Sequence, residues 1–204
     1  MNSFAKVVSF VLHPLWMRLV TFLLLYVLDP YLGLHFEHFK LILLLLLTCI
    51  LAPGLSLLVM VKMKLVSDIE VSNKEERYIP FALVIFYYIL TYGFLRFQHV
   101  SLPHAVYAML FSLIVSLVLA VLVNMKTKVS IHLMAMGGVL GGLLAFSQLH
   151  VIGIGGYMTM WLLLSALLAW SRIYQGLHTN AQTYLGFGLG FGIHYFIVVN
   201  ELFV

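Results

Sequence analysis

Charge is what this sequence has least of. Only 9% of its 204 residues are Asp, Glu, Lys or Arg, where a soluble domain carries roughly 25%. A chain that is 63% hydrophobic with so few charges cannot present a solvated surface to water. That excludes an ordinary soluble domain and makes the bilayer its solvent. Cysteine is almost absent as well. The lone Cys49 rules out an internal disulfide and a cysteine-built metal cage. Long polar stretches are missing too. The longest, KMKLVSDIEVSNKEERYIP at 62–80, leaves no room for a soluble domain, so residues 1–204 read as a single transmembrane domain. There is no internal repeat and no low-complexity linker. No cleaved signal peptide is expected, because the first apolar run leads into LLLYVLDPYLG without a small-residue cleavage site. The formal net charge is +4, but no basic patch is interleaved with aromatics. The excess therefore reports loop orientation, and no nucleic-acid partner is expected.

What the chain does have is long apolar runs. A spanning helix needs about 20 such residues. Seven candidates lie at 12–29, 41–61, 79–97, 104–124, 130–148, 151–170 and 180–200. The first is the weakest, since it carries Arg18 and is closed by Asp29-Pro30. The expected fold is all-α, a polytopic membrane bundle of six to seven transmembrane helices. The fifth and sixth runs are joined by a tight turn near His150 and should form an antiparallel hairpin. With seven spans, Lys6, Arg18, Lys62, Lys64, Lys74, Arg77, Lys126, Lys128 and Arg172 fall on one side, and Lys40 and Arg96 on the other. The bias places the first side in the cytoplasm. The expected localisation is an integral multi-pass protein of the bacterial inner (cytoplasmic) membrane.

Three polar clusters lie on that richer side. One is the 62–80 loop, which ends in Arg77. The second is KVSIH, with Ser130 and His132 at the mouth of the fifth span. The third is SRIYQGLHTNAQ at 171–182, which holds Ser171, Arg172, His178 and Gln182. Chain crossings occur in pairs between the clusters, so all three can meet at one membrane face. Two arginines can clamp a phosphate through paired, charge-assisted hydrogen bonds. Ser130 is positioned to cap the fifth helix, whose first N–H groups attract anions. Of two histidines near one phosphorus, one can attack and the other can protonate the leaving oxygen. Gln182 lies four residues after His178, on the same helical face, and can fix the tautomer of that ring.

These residues resemble the signatures of the type 2 phosphatidic acid phosphatase and haloperoxidase superfamily. SRIYQGLH supplies the Ser-Arg and, after five residues, the His of the third signature, while Gln182 replaces its final Asp. VSIH at 129–132 matches Ser and His of the Pro-Ser-Gly-His signature, with Val129 and Ile131 departing. Arg77 fits the first signature, Lys-x6-Arg-Pro, but Glu70 stands at the Lys position and Tyr78 at the Pro. The resemblance spans about 65–195 and implies a site. His178 would be the nucleophile and His132 the general acid. Arg77 and Arg172 would clamp the phosphate, assisted by Ser130 and Ser171, with Lys74 replacing the missing lysine. It implies no metal and no cofactor, and its substrate would be a phosphorylated lipid or isoprenoid drawn from the bilayer. Glu70 and Gln182 point to the alternative, a catalytically impaired member that binds a lipid headgroup or acts as a scaffold.

The remaining polar residues have plainer readings. His13, His35, His38, His99, His104 and His150 lie at or near helix ends, where an interfacial position suffices. His194, Asn200 and Glu201 lie toward the far end of the last span and are expected to snorkel. Gly137/Gly141, Gly138/Gly142, Gly186/Gly190 and Gly188/Gly192 are small residues four apart. They let helices approach closely in lipid, so the fifth and seventh spans should pack tightly and hold His132 near His178.

Overall fold

The structure is a computed structural model that describes residues 3–28, 38–71, 73–98 and 102–202. Asp29, Pro30, His35 and His99 lie outside them. Among the described residues there are helices and no strands. Helices α1 (Ser3–Val11) and α2 (Pro14–Leu28) are followed by α3 (His38–Leu45). A π-helical turn over Leu46–Leu51 joins α3 to α4 (Ala52–Lys62). Then come α5 (Tyr78–Phe97), α6 (His104–Lys126), α7 (Ile131–His150), α8 (Gly155–Tyr174) and α9 (Asn180–Val199).

Five helical segments are long and apolar enough to cross a membrane, and six if the bent α1–α2 pair forms one span. The seven runs read from the sequence differ from this at two places. The first is a broken helix, α1 and α2 meeting at 51°. Pro14 has no N–H to continue α1 and starts α2 instead, with the His13 Nδ1 accepting from the N–H of Leu15 at 3.3 Å. The second is α8. It is 20 residues long but does not meet the same test, because Thr159, Ser165, Trp170, Ser171 and Arg172 dilute its apolar content.

Arg18, an orientation charge by sequence, acts inside the bundle. Pro53 cannot donate to the carbonyl of Cys49 four residues earlier, and the Arg18 Nη1 donates to that oxygen at 3.3 Å. Its guanidinium also stacks 4.1 Å from the centre of the Tyr88 ring.

The core is built around α7, whose apolar window is 78% buried, more than any other span. Its partner is α9. A Cβ at Gly137 or Gly141 would strike the backbone of Phe187 or Phe191, and one at Gly190 or Gly186 would strike the carbonyls of Met134 or Ser130. These helices therefore touch backbone to backbone. Gly188 and Gly192 have nothing within 4 Å of such an atom, so only one of the two α9 pairs serves the contact. At the site end the Ser130 N–H donates to the Gln182 carbonyl at 3.3 Å, which ties the start of α7 to the first turn of α9.

Candidate active site

The spacing between Arg172 and His178 has a local cause. Helix α8 stops with Gly176 at φ +69°, a left-handed conformation that glycine adopts without cost. The Gly176 N–H donates to the Ile173 carbonyl at 2.9 Å and the Leu177 N–H to the Arg172 carbonyl at 3.1 Å, a Schellman closure. Two residues later Thr179 caps α9, its Oγ1 accepting from the Gln182 N–H at 3.3 Å. Arg172 thus ends one helix and His178 sits directly before the next, both at one end of the bundle.

His178 is oriented by Gln182. Its Nδ1 lies 3.1 Å from the Gln182 Oε1, and the same oxygen accepts the Thr179 N–H at 3.3 Å. A backbone N–H can only donate, so this atom is the acceptor. The His178 Nδ1 therefore carries the proton, and its Nε2 presents a lone pair. Burial pushes the pKa of His178 down to about 3, with Lys128, Arg172 and Arg77 adding repulsion and the Gln182 bond opposing. The ring is neutral at neutral pH, as a nucleophile requires.

His132 lies buried in the first turn of α7, with its ring close to the Ser9 backbone of α1. Its Nε2 is buried without a partner. The ring of His13 meets it edge-on, with centroids 5.1 Å apart.

Arg77 is anchored at two points. Its Nε donates to the Val71 carbonyl at 3.0 Å and its Nη1 to the Val129 carbonyl at 2.9 Å. Arg172 is paired through Nη1 with the Glu70 carboxylate at 2.7 Å, while its Nε is buried without a partner. Lys128 donates to the Leu177 carbonyl at 2.9 Å, beside His178. Its pKa is lowered by burial and by the two neighbouring guanidiniums of Arg77 and Arg172.

Arg77, His132, Arg172 and His178 line one open cavity, with about 800 Å3 of empty space when its mouth to solvent is included, together with Glu70, His13 and Arg18. Its remaining wall is apolar, with Leu57 and Met60 of α4 and Phe81 and Val84 of α5. Three expected site residues are placed elsewhere. Ser171 is fully buried against α1, bonded to the Ser9 Oγ at 2.9 Å and donating to the Ala5 carbonyl at 2.6 Å. Ser130 caps nothing, since its Oγ is buried without a partner, and it does not line the cavity. Lys74 does not line it either; its carbonyl accepts from the Asn124 amide at 2.9 Å.

Sequence reasoning passed over His13 as interfacial and Lys128 as an orientation charge. The break at His13-Pro14 and the lysine beginning KVSIH were the available signals. His194 does not snorkel: it is buried, with its Nδ1 donating to the Gly190 carbonyl at 3.0 Å. It lines a second cavity, of about 630 Å3, between α2, α6, α7 and α9. The two cavities share Pro14, Arg18, Leu117 and Ile131. Among the described residues no group of three or more His, Cys, Asp or Glu side chains is arranged to hold a metal ion.

No protein-family model, curated protein or solved structure matches the chain.

Proposed function

We propose that this multi-pass membrane protein is a phosphatase of the type 2 phosphatidic acid phosphatase kind. It would hydrolyse a phosphate monoester or pyrophosphate on a lipid or isoprenoid through a phosphohistidine intermediate. One observation carries the reading. Arg77, His132, Arg172 and His178 come from three clusters far apart in sequence and line a single cavity. A phosphate there meets the unused N–H groups of both guanidiniums. The Nε2 lone pair of His178 attacks phosphorus, the bond from phosphorus to the leaving oxygen breaks, and that oxygen takes a proton from His132 Nε2. Water then attacks the phosphohistidine and the P–N bond breaks. The proton of the water returns to His132 and inorganic phosphate leaves. The acid role needs a proton on the Nε2 of His132, which a bound phosphate dianion favours.

Lys128, which lies beside the cavity and not in its lining, supports the reading where the first signature lacks a lysine. Its ammonium has three donors, and only one is bonded, to Leu177. It supplies a cation that Glu70 does not. The second cavity offers an apolar compartment, with Met17, Phe22, Met109, Leu113 and Val139, for the tail of the substrate. On this reading α8 also crosses the bilayer. α7 leaves the site end at Ile131 and α8 returns to it at Arg172, and its 20 residues rise about 30 Å. With α1 and α2 counted as one broken span, seven crossings result. Arg18, Arg77 and Arg172 act inside the protein, which leaves the lysines to carry the cytoplasmic assignment.

The ion pair between Glu70 and Arg172 favours a second reading, a relative that binds a headgroup without turnover, since the carboxylate occupies part of the clamp. The test is phosphate release by purified protein in detergent from a panel of lipid phosphates and isoprenoid pyrophosphates, with capture of labelled phosphate on the chain. Turnover and labelling that vanish in His178→Ala are expected. Equal background from both proteins across the panel refutes the phosphatase and leaves the binding role.

A further inference from the structure

We propose that the ligand of this cavity is zwitterionic: a phosphate group whose own molecule carries an ammonium on a short carbon tether, with Glu70 as the ammonium receptor. The inference rests on the phosphate-site reading above and names its substrate class.

Glu70 and Arg172 are unequal partners. The Arg172 side chain is 3% exposed and fixed at the end of α8, whereas Glu70 is 36% exposed on the loop between α4 and α5. The carboxylate is the member free to swing. Two polar atoms in the cavity wall point to a missing ligand, the Nε of Arg172 and the Nε2 of His132. Both are buried, and neither has a partner. Buried donors and acceptors left open are costly, so a group that satisfies both fits here. A phosphate that takes the Nε of Arg172 shares that guanidinium with Glu70, whose carboxylate is held 2.7 Å from Nη1 and lines the same cavity. A bare phosphate dianion would then face a carboxylate, a like-charge contact. An ammonium on the ligand removes that conflict. Phosphate replaces Glu70 on Arg172, the ammonium takes up the released carboxylate, and every charge keeps an opposite partner. Ile69 and Phe81 beside this point supply the apolar wall that a short alkyl tether needs.

Two lipids carry this chemistry. One is a single-chain amino-alcohol phosphate, a monoester that the proposed reaction would cleave, and the other is a phosphoethanolamine lipid, a diester that would fit the reading of binding without turnover. The experiment uses isothermal titration of the full chain in detergent with a matched pair of probes, 2-aminoethyl phosphate and 2-hydroxyethyl phosphate. Wild type is expected to bind the amine about tenfold more tightly. Glu70→Gln, a change on an exposed loop, is expected to abolish that preference, mainly by tightening the hydroxyl probe. Equal affinities in wild type, or a preference that survives in Glu70→Gln, overturn the proposal while leaving the phosphate site intact. Failure of wild type to bind either probe overturns both. Competition by a single-chain amino-alcohol phosphate against lysophosphatidylethanolamine then identifies the source, and displacement by neither also overturns it.

Discussion

The Oε1 of Gln182 receives the Nδ1–H of His178 at 3.1 Å and the backbone N–H of Thr179 at 3.3 Å. One amide oxygen therefore fixes the tautomer of His178, the proposed nucleophile, and closes the capping box of α9. A replacement must do both. Gln182→Glu keeps the length of the side chain and adds a carboxylate that stabilises the imidazolium formed on attack. Asp, one methylene shorter, does not span both donors. Gln182→Glu is expected to raise kcat at least about tenfold, with a ceiling near the about 10⁴ lost when a comparable triad loses its carboxylate. Gln182→Leu is expected to lower kcat and to cost about 1 kcal/mol through the lost cap. Steady-state phosphate release and thermal melts check both.

His178 also makes stability depend on pH. Its folded pKa is about 3, depressed by burial, against 6.5 when unfolded. As pH falls below about 6.5 the unfolded chain takes the proton first. The stability that neutral His178 contributes is complete above that pH and is lost progressively toward pH 3. Melting temperature measured from pH 7.5 to 4.5 should therefore fall more steeply in wild type than in His178→Gln. Parallel curves would show that the ring is not held neutral.

Ser171 and Arg172 are adjacent but act differently. The Ser171 Oγ binds the Ala5 carbonyl and Ser9 in α1. Ser171→Ala is expected to cost about 1–3 kcal/mol of stability, the range for stranding a buried hydrogen-bond group, and to leave KM unchanged. Arg172→Lys, which loses the planar fork, should raise KM for every phosphate substrate. Melts and kinetics on the two variants separate the roles.

The glycines of α9 divide in the same way. Gly190→Ala drives a methyl into the carbonyl of Met134, and about 1–3 kcal/mol or more of destabilisation is expected from forced separation of α7 and α9. Gly188→Ala meets nothing within 4 Å and should be neutral or slightly stabilising. Unfolding in mixed micelles compares them directly.

The sequence by itself determined the apolar medium, the all-helical class and the local geometry of the third cluster. Scarce charge and long apolar runs leave no alternative to helices in lipid. Ser-Arg-x5-His is legible because its spacing is local: Gly176 ends one helix, Thr179 starts the next, and both signals act within a few residues. Gln182 was found for the same reason, four residues along one helix face. The tertiary structure decided what depends on distant partners. The backbone of Ser9 that lies close to His132 comes from α1, and every residue has a backbone, so no side chain advertises the approach. Glu70 and Arg172 pair across 102 residues, and a carboxylate that sequence reads as mere repulsion becomes a partner only when the loop folds over the end of α8. Ser130 and Ser171 match a signature but do not line the cavity: the Ser171 hydroxyl binds the Ala5 carbonyl that packing brings to it, and the Ser130 Oγ is buried without a partner. Small residues four apart mark a helix face that can be approached closely. Which of two such faces on α9 meets α7 is fixed only by the rotation of the packed helices.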